Sequence, residues 1–219
     1  MFDCLVVLSG GMDSTVLLTD CVQKYDRVSA ISFDYGSKHN GRELPLAQAI
    51  CQNLGVSHKI ISLPFVGDLF SSSLLTSGDE IPDGAYDEPT MKSTVVPFRN
   101  GIMLSIAAGY AESIGAAKIV LGSHAGDHFI YPDCRPEFNE TFARAVAIGT
   151  DGKVTIEFPY ATLDKRDIGD LGRTLSVDFR ATWTCYKGED IHCGTCGACD
   201  ERKYALRQDE GLDPTTYRV

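Results

Sequence analysis

The sequence predicts an α/β fold in which a doubly wound parallel sheet is covered by helices on both faces. Short runs of branched apolar residues alternate with longer segments of helical apolar spacing, as in chains that form parallel sheets. Glycines follow several of these runs, at points where the chain must turn. Of the 219 residues, 43% are hydrophobic, which is enough to bury the core of one large domain.

The amino-terminal half supplies three predicted strands and two predicted helices. Residues 5–8 form a short branched run followed by glycines, which is typical of a strand buried on both faces. The apolar spacing of residues 14–22 favours a helix, and Gly55 ends a second helical pattern. In chain order, the predicted elements are strand 5–8, helix 14–22, strand 28–33, helix 44–54 and strand 58–63.

The second half contains one more predicted strand and several helices. Residues 76–92 contain Gly, Pro, Asp and Glu without periodicity, so we expect a long surface loop, for which a mobile lid is one interpretation. The composition changes near residue 182, which predicts a nucleotide-binding α/β domain (1–181) and a tail (182–219) packed on it. The remaining predicted elements are helix 100–114, strand 118–121 and helices 137–148, 165–175 and 200–208.

The charge balance narrows the choice of partners. The formal net charge is −10, and an acidic surface repels the phosphates of nucleic acid, so we expect no nucleic-acid partner. No apolar run approaches the ~20 residues that a membrane span needs, and the first residues lack the pattern of a secretion signal. We therefore expect a cytoplasmic protein whose eight cysteines do not form disulfides.

The glycine loop, defined here as residues 9–14, lies between the first predicted strand and the first predicted helix. Such a junction directs backbone N–H groups and the positive end of a helix dipole towards one point, which favours a phosphate. Ser9 and Ser14 offer hydroxyl donors, whereas Asp13 suits a magnesium ion or a helix cap. An ordinary glycine turn capped by Asp or Ser is the alternative.

The sequence of the glycine loop differs from two common nucleotide-binding motifs. It has no lysine before a Ser or Thr, as the Walker motif requires, and no G-x-G-x-x-G. Its sequence, S-G-G-M-D-S, instead resembles the S-G-G-x-D-S pyrophosphatase loop of N-type ATPases, which holds the pyrophosphate released as an acyl-adenylate forms. The resemblance implies that ATP contacts Leu8, Ser9, Gly10, Gly11, Met12, Asp13 and Ser14.

Four of the cysteines form a cluster with the spacing C-x7-C-x2-C-x2-C. Gly194 and Gly197 lie between them and allow the tight turns that bring four sulfurs to one centre. Four thiolates fill a tetrahedral zinc ion and leave no position for water, so we expect a structural site that folds the tail. An iron–sulfur cluster is the alternative. The predicted ligands are Cys185, Cys193, Cys196 and Cys199.

Motifs along almost the whole chain resemble the 7-cyano-7-deazaguanine synthase family, which makes the nitrile precursor of queuosine. The glycine loop alone marks a superfamily, but Y-P-D-C-R-P-E-F at residues 131–138, combined with the four-cysteine tail, is much more specific. The resemblance implies a Rossmann-like, adenine nucleotide alpha hydrolase-like fold. The other matching segments are F-D-Y-G at 33–36 with His39, V-P at 96–97, R-N at 99–100, L-S at 104–105 and T-W-T-C-Y at 182–186.

The resemblance also implies an ATP-dependent C–N ligase that works in two stages. ATP, with Mg²⁺, adenylates the carboxylate of 7-carboxy-7-deazaguanine, and ammonia displaces AMP to give an amide. A second ATP activates the amide oxygen, and loss of AMP leaves the nitrile of 7-cyano-7-deazaguanine (preQ0). Adenylation makes chemical sense because a carboxylate or amide oxygen is a poor leaving group, and adenylation turns it into a stable departing phosphate.

Five side chains are assigned candidate roles in this reaction. Arg99 and Arg135 suit a carboxylate or phosphate, because a guanidinium binds either through two parallel hydrogen bonds; structural ion pairs are the alternative. Asp133 offers acceptors to the donors of a guanine-like edge, or is simply a turn residue. Phe33 and Tyr35 are expected to border adenine unless they only pack in the core.

Two positions depart from the family's pattern. The segment before Tyr131 lacks the Asp-Tyr-Ser-Gly stretch of the familiar form, and here Asp127 lies near two histidines. Asp127 is a candidate ligand for magnesium or ammonium, with a hydrogen-bonded turn as the alternative. Phe98 replaces the glycine or small residue that precedes Arg99 in the family. Because the segment before Tyr131 differs from the family's pattern, the sequence specifies the adenylation better than it specifies the nucleophile or the final product.

The expected partners follow from the same resemblance and from chain length. A sheet domain and a metal-binding tail leave no room for a glutaminase domain in 219 residues, so we expect ammonia from solution or from a partner protein. A homodimer is also implied. A related enzyme that couples the activated deazaguanine acid to another amine, such as a protein N-terminus, would share these motifs. The sequence is also compatible with a tRNA-modifying enzyme that holds an iron–sulfur cluster, or with a non-catalytic zinc-ribbon binding module.

Overall fold

The structure, a computed structural model, describes residues 2–85 and 91–219. The described residues form one parallel sheet of strands β1 (Cys4–Val7), β2 (Val28–Asp34), β3 (Ser57–Ser62), β4 (Lys118–Val120) and β5 (Thr155–Glu157). Their order across the sheet is β3-β2-β1-β4-β5. The chain builds outward from β1 first in one direction and then in the other, so the predicted doubly wound sheet is confirmed.

Helices cover the sheet along the whole described chain. They are α1 (Met12–Lys24), α2 (Asn40–Leu54), α3 (Pro64–Leu69), α4 (Arg99–Ile114), α5 (Pro136–Gly149), α6 (Lys165–Thr174) and α7 (Gly197–Ala205). In residues 2–85 and 91–219, no helix combines the length and the apolar composition that a membrane crossing requires.

The central strand β1 shows why both faces of the sheet carry helices. Leu5 belongs to the apolar core that contains Leu104 of α4, whereas Val6 belongs to the core that contains Val16 of α1. All four side chains are completely buried. Because successive side chains of a strand point to opposite faces, a strand covered on both sides has a continuous apolar run.

Two elements are not predicted by the sequence patterns. Strand β5 has three residues, and only Ile156 is buried while its two neighbours are exposed, so it lacks the apolar run of the other strands. Helix α3 has six residues and begins at Pro64, a residue that suits the first helical position. A segment of six residues is too short to show helical periodicity, which explains why the sequence did not predict α3.

The cysteine tail shares a core with the sheet. All four cysteines of the cluster are buried in the same apolar core as Leu5 and Ile31. Helix α7 begins directly after Cys196, three residues before the start of the predicted helix 200–208. The segment predicted as a loop, 76–92, includes residues 86–90, which lie outside the described residues. In its described part, the Gly84 N–H donates to the Thr195 carbonyl (2.9 Å), which attaches this segment to the tail.

Candidate active site

A cavity of about 230 Å³ opens where the crossover direction reverses, at the carboxyl ends of β1 and β4. This is the usual ligand position in doubly wound sheets. Leu8 and the glycine loop form the wall after β1, and Ser123 and His124 form the wall after β4. The cavity therefore lies between the first loop of the chain and residues more than one hundred positions later.

The glycine loop leads into an uncapped helix. No side chain of the described residues caps the first turn of α1, whose leading N–H groups have no partner within the helix. The Ser9 N–H donates to Ser14 Oγ (3.1 Å), and the Gly11 N–H donates to Ser9 Oγ (3.0 Å). The sequence left open an ordinary glycine turn in which Asp or Ser caps the helix. Within the described residues, the structure shows no such side-chain cap at the start of α1. An uncapped helix start beside a cavity can bind an anion.

Gly10 is required by the close approach of the loop to α2. Its φ is +92°, a conformation that side chains disfavour, and a Cβ would overlap the carbonyl oxygen of Glu43. The Gly10 carbonyl accepts a hydrogen bond from the Trp183 N–H (3.0 Å). Gly10 is not one of the described residues that line the cavity. Its conformation determines the path of the glycine-loop residues that do line it.

Lys165, the first residue of α6, links the glycine loop to the tail. Its Nζ lies 2.6 Å from Asp13 Oδ2 and 3.1 Å from Glu201 Oε2 on α7. Burial has the largest single effect on the pKa of Asp13 and would raise it, but the nearby charges, that of Lys165 first, and the hydrogen bond from Lys165 together lower the pKa. Burial alone would likewise lower the pKa of Lys165, whereas the two carboxylates raise it. Both Lys165 and Asp13 are therefore charged at neutral pH.

Asp127 both closes a turn and lines the cavity. Its Oδ2 accepts a hydrogen bond from the His124 N–H (3.4 Å), and its Oδ1 lies 3.3 Å from His124 Nε2. The Gly126 N–H donates to His124 Nδ1 (3.1 Å), which completes a capped 3₁₀ turn over residues 125–129. The hydrogen-bonded turn expected as the alternative for Asp127 is thus present, and its role as a ligand for magnesium or ammonium stays a prediction.

Arg99 lies in the aromatic half of the cavity. It donates to the Tyr35 hydroxyl (3.1 Å), and its guanidinium carbon lies 5.6 Å from the centre of the Tyr35 ring. Among the described residues no carboxylate lies within ion-pair distance of Arg99. Tyr131 and Tyr186, whose hydroxyls are 3.3 Å apart, line the same part. A partly buried guanidinium without a carboxylate can bind an anionic ligand with little competition.

Two neighbours position Arg99 at the start of α4. Phe98 has a φ of +52°, the left-handed conformation that a glycine adopts without strain, which explains why a small residue suits this position. Asp133 accepts a hydrogen bond from the Asn100 N–H through Oδ2 (2.7 Å) and so satisfies a free donor of the first helical turn.

The predicted site residues divide into two groups. Those that line the cavity are Leu8, Ser9, Gly11, Met12, Asp13, Ser14, Phe33, Tyr35, Arg99 and Asp127. Gly10, Asp133 and Arg135 are not among the described lining residues. Arg135 is exposed and donates through Nε to the His128 carbonyl (3.1 Å). Substrate binding by Asp133 or Arg135 stays a prediction.

Several charged or titratable side chains of the site are not predicted as site residues from the sequence. Lys165 and Glu201 complete the ion cluster around Asp13, and Glu43 lies in the cavity beside His39, which appeared only within a matching motif. Each occurs in a segment that the sequence presents as an ordinary amphipathic helix or helix start. Only Lys165 has a local indication, because it follows the capping residue of a predicted helix.

The cysteine cluster has the geometry of a single-ion metal site. The four sulfur atoms lie within 4.8 Å of one another, and Cys193 Sγ and Cys199 Sγ are 3.8 Å apart. A tetrahedral ion with metal–sulfur distances of about 2.3 Å places its sulfurs about 3.8 Å apart. The N–H groups of Thr195 (3.4 Å) and Cys196 (3.3 Å) donate to Cys193 Sγ, which would stabilise a thiolate. The donor set therefore fits a bound metal ion.

Fold and site together define a doubly wound α/β protein of the adenine nucleotide alpha hydrolase-like class. NMN synthetase from Francisella tularensis superimposes with a TM-score of 0.53 at 16% identity, covering 98% of this chain and 79% of that chain. The tRNA thiolase NcsA from Methanococcus maripaludis, solved with its [4Fe-4S] cluster, gives 0.50 at 15% identity, covering 96% and 67%. At these identities the likeness concerns the fold alone.

Comparison of amino-acid sequences identifies the family to which this chain belongs. Residues 3–210 match the model of the family described as Queuosine biosynthesis protein QueC, and the chain belongs to that family. A protein of Desulfotalea psychrophila named 7-cyano-7-deazaguanine synthase is 66% identical over 219 residues, 100% of both chains. A protein of Porphyromonas gingivalis with the same name is 54% identical over 216 residues, covering 98% of this chain and 97% of the relative. The resemblance inferred from the motifs is confirmed.

Proposed function

We propose that this protein converts 7-carboxy-7-deazaguanine and ammonia to 7-cyano-7-deazaguanine with consumption of ATP. The proposal depends on one observation: a single cavity joins the glycine loop, which suits phosphate, to Arg99, which has no carboxylate partner among the described residues. Full-length relatives named 7-cyano-7-deazaguanine synthase support the choice of product.

The glycine loop would hold the pyrophosphate part of ATP. The free N–H groups at the start of α1 and the hydroxyls of Ser9 and Ser14, which lie 3.0 Å apart, would donate to phosphate oxygens. Lys165 adds a positive charge at the same loop through its contact with Asp13. These groups would stabilise the charge that develops as the bond between the α- and β-phosphates breaks.

Arg99 would hold the carboxylate that is activated. One carboxylate oxygen attacks the α-phosphorus, pyrophosphate leaves into the glycine loop, and an acyl-adenylate remains. Ammonia then forms a C–N bond at the acyl carbon, and AMP departs. In the second stage the amide oxygen attacks another ATP, and loss of AMP together with both amide protons leaves the nitrile. The protein mainly positions the reactants, which by itself accounts for a large share of such rate enhancements.

We further propose that Asp13 and Asp127 contact the magnesium ion that accompanies ATP. The Oδ1 atom of Asp13 is buried and has no hydrogen-bond partner among the described residues, while its other oxygen contacts Lys165. A carboxylate oxygen is a suitable ligand for Mg²⁺, which keeps most of its waters and takes few protein ligands.

Zinc is the proposed occupant of the cysteine cluster. Each thiolate of a four-iron cluster binds a different iron, which requires larger sulfur separations than a single ion does, whereas the sulfurs here lie within 4.8 Å of one another. With four protein ligands the ion would be structural. A homodimer is proposed from the family resemblance alone, and the cytoplasmic location expected from the sequence stays a proposal.

The test is incubation of the protein with ATP, Mg²⁺, 7-carboxy-7-deazaguanine and ¹⁵N-ammonium, followed by mass analysis. We expect the labelled nitrile, with two AMP and two pyrophosphate formed per nitrile. Release of ADP and phosphate would show that ATP is cleaved at another bond. A labelled amide without nitrile would limit the protein to the first stage.

A further inference from the structure

Glu43 is a carboxyl group of the cavity that the proposed binding roles leave unused. It projects from α2, and its side chain is 15% exposed. A methyl group placed on Gly11 would lie 3.7 Å from Glu43 Oε1, so the carboxyl stands beside the glycine loop. Trp183 and Arg99 line the same cavity. Glu43 therefore lies in the cavity that holds both the glycine loop and Arg99, between which the proposed function puts the activated carboxyl group.

Among the described residues, Glu43 has no Lys or Arg within ion-pair distance. Its nearest titratable neighbour is His39, whose Nε2 lies 3.7 Å from Oε2. Burial, together with the positive charge of Arg99, lowers the pKa of His39 to about 4, so this imidazole is neutral at pH 7. Burial raises the pKa of Glu43 to about 8, although Arg99 opposes the rise. The other carboxyl groups of the cavity wall each have a basic neighbour: Lys165 Nζ contacts Asp13 (2.6 Å) and Glu201 (3.1 Å), and His124 Nε2 lies 3.3 Å from Asp127.

The chemistry of amide formation needs a group with these properties. Near neutral pH ammonium predominates over ammonia in solution, and ammonium has no lone pair with which to attack. A base is most effective when its pKa lies close to the working pH. A buried carboxyl without a cationic partner also attracts a small cation, because the cation compensates its charge.

We propose that Glu43 binds ammonium in the cavity and removes the proton that must leave before the nitrogen attacks the acyl-adenylate. This role rests on the proposed function, whose amide-forming step it deepens. Ammonium beside Glu43 favours loss of the carboxyl proton to solvent, because the cation compensates the charge of the carboxylate. The Glu43 carboxylate then takes one proton from ammonium and becomes a carboxylic acid again. The nitrogen lone pair then forms the C–N bond, and the bond between the acyl carbon and the phosphate oxygen breaks. AMP leaves with that electron pair and with the second proton from nitrogen, and the amide keeps two hydrogens.

The experiment compares the parent protein with Glu43→Gln in three reactions. Exchange of labelled pyrophosphate into ATP, dependent on 7-carboxy-7-deazaguanine, reports adenylation alone. Product formation from ammonium requires proton removal, whereas hydroxamate formation from hydroxylamine does not, because hydroxylamine is neutral at pH 7. Glu140→Gln, an exposed position on α5, is the matched control.

We expect Glu43→Gln to keep pyrophosphate exchange and hydroxamate formation within about twofold of the parent. Amide and nitrile formation from ammonium at pH 7 should fall at least about tenfold, and should recover as the pH approaches 9 and free ammonia becomes abundant. Equal losses with ammonium and hydroxylamine would overturn the proposal. So would a raised KM for ATP in the exchange reaction, which would place Glu43 against the nucleotide. Absence of substrate-dependent exchange in the parent would instead refute the proposed function.

Discussion

Lys165 Nζ lies 2.6 Å from Asp13 Oδ2, although the two residues are 152 positions apart. Asp13 belongs to the first turn of α1, and Lys165 begins α6, so their contact fixes two helix starts at one edge of the sheet. Glu201 of α7 lies 3.1 Å from the same Nζ. The glycine loop, α6 and α7 therefore meet at the side-chain ammonium group of Lys165.

Replacement of this lysine should damage both activity and stability. Lys165→Met leaves Asp13 and Glu201 without their cation, and loss of one partner of a buried pair typically costs about 3–5 kcal/mol. We expect pyrophosphate exchange to fall at least about a hundredfold, with a lower urea midpoint. Lys153→Met is the control, because Lys153 pairs with Glu112 (2.9 Å) at the surface. Similar losses in both variants would argue against a special role for Lys165.

The guanidinium of Arg99 should matter through its geometry as well as its charge. Arg99→Lys keeps the charge but cannot form two parallel hydrogen bonds with a carboxylate. We expect kcat/KM for 7-carboxy-7-deazaguanine to fall about a hundredfold, corresponding to about 3 kcal/mol. Arg180→Lys, at an exposed position that pairs with Asp178 (3.2 Å), should have no effect. An unchanged KM and kcat for Arg99→Lys would exclude carboxylate binding by this residue.

Gly10 provides a test of the close approach between the glycine loop and α2. Gly10→Ala adds a methyl group that overlaps the Glu43 carbonyl, whereas Gly55→Ala adds one at a similar positive φ in open space. Both variants incur the backbone strain of about 1 kcal/mol, but only the first must move the loop. We expect loss of pyrophosphate exchange in Gly10→Ala alone. Full activity of Gly10→Ala would show that the loop tolerates displacement.

Loss of the metal should reach the active site through α7. Cys199→Ser is expected to lower the zinc content from one per chain, measured by plasma mass spectrometry, and to destabilise the helix that carries Glu201. Thermal stability and pyrophosphate exchange should fall together. Cys51→Ser, at a buried cysteine of α2 outside the cluster, should keep the metal. Visible absorption by the purified parent, with iron in place of zinc, would contradict the proposed zinc site.

The pKa of Glu43 predicts a pH-dependent effect on stability that is independent of catalysis. In the folded protein the pKa is about 8, against an ordinary value of 4.5, so burial favours the protonated form. The stability that this proton contributes is fully present below pH 4.5 and is lost as the pH rises through 8. Glu43→Gln cannot lose this contribution. As the pH rises from 5 to 8, its free energy of unfolding should therefore increase relative to that of the parent protein.

Urea denaturation at several pH values measures this difference. The gain should amount to a few kcal/mol at most, because each unit of pKa difference corresponds to about 1.4 kcal/mol. His39 has the opposite dependence, since its folded pKa of about 4 makes stability fall as the pH drops below 6.5. That contribution is common to both proteins and cancels in the comparison. A difference that does not change with pH would mean that Glu43 is already ionised at neutral pH.

Local patterns predict much of the site. The glycine loop is recognisable because its glycines follow an apolar strand, and the metal site because four cysteines lie within fifteen residues. Arg99 is a candidate for its guanidinium chemistry, and the structure places it in the cavity. Arg135 is a candidate by the same reasoning, but it lies on the surface, since residue type alone does not specify on which side of a turn a side chain lies.

Within the described residues, the sequence alone determined four of the five strands and six of the seven helices, the position of the glycine loop and the grouping of the cysteines. Each of these depends on residues a few positions apart, whose spacing matches the period of a strand, a helix or a turn. Only the tertiary structure decided that Lys165, Glu201 and Glu43 meet the loop in one cavity. Their meeting depends on the strand order of the sheet and on helix packing across it, and no local spacing encodes either.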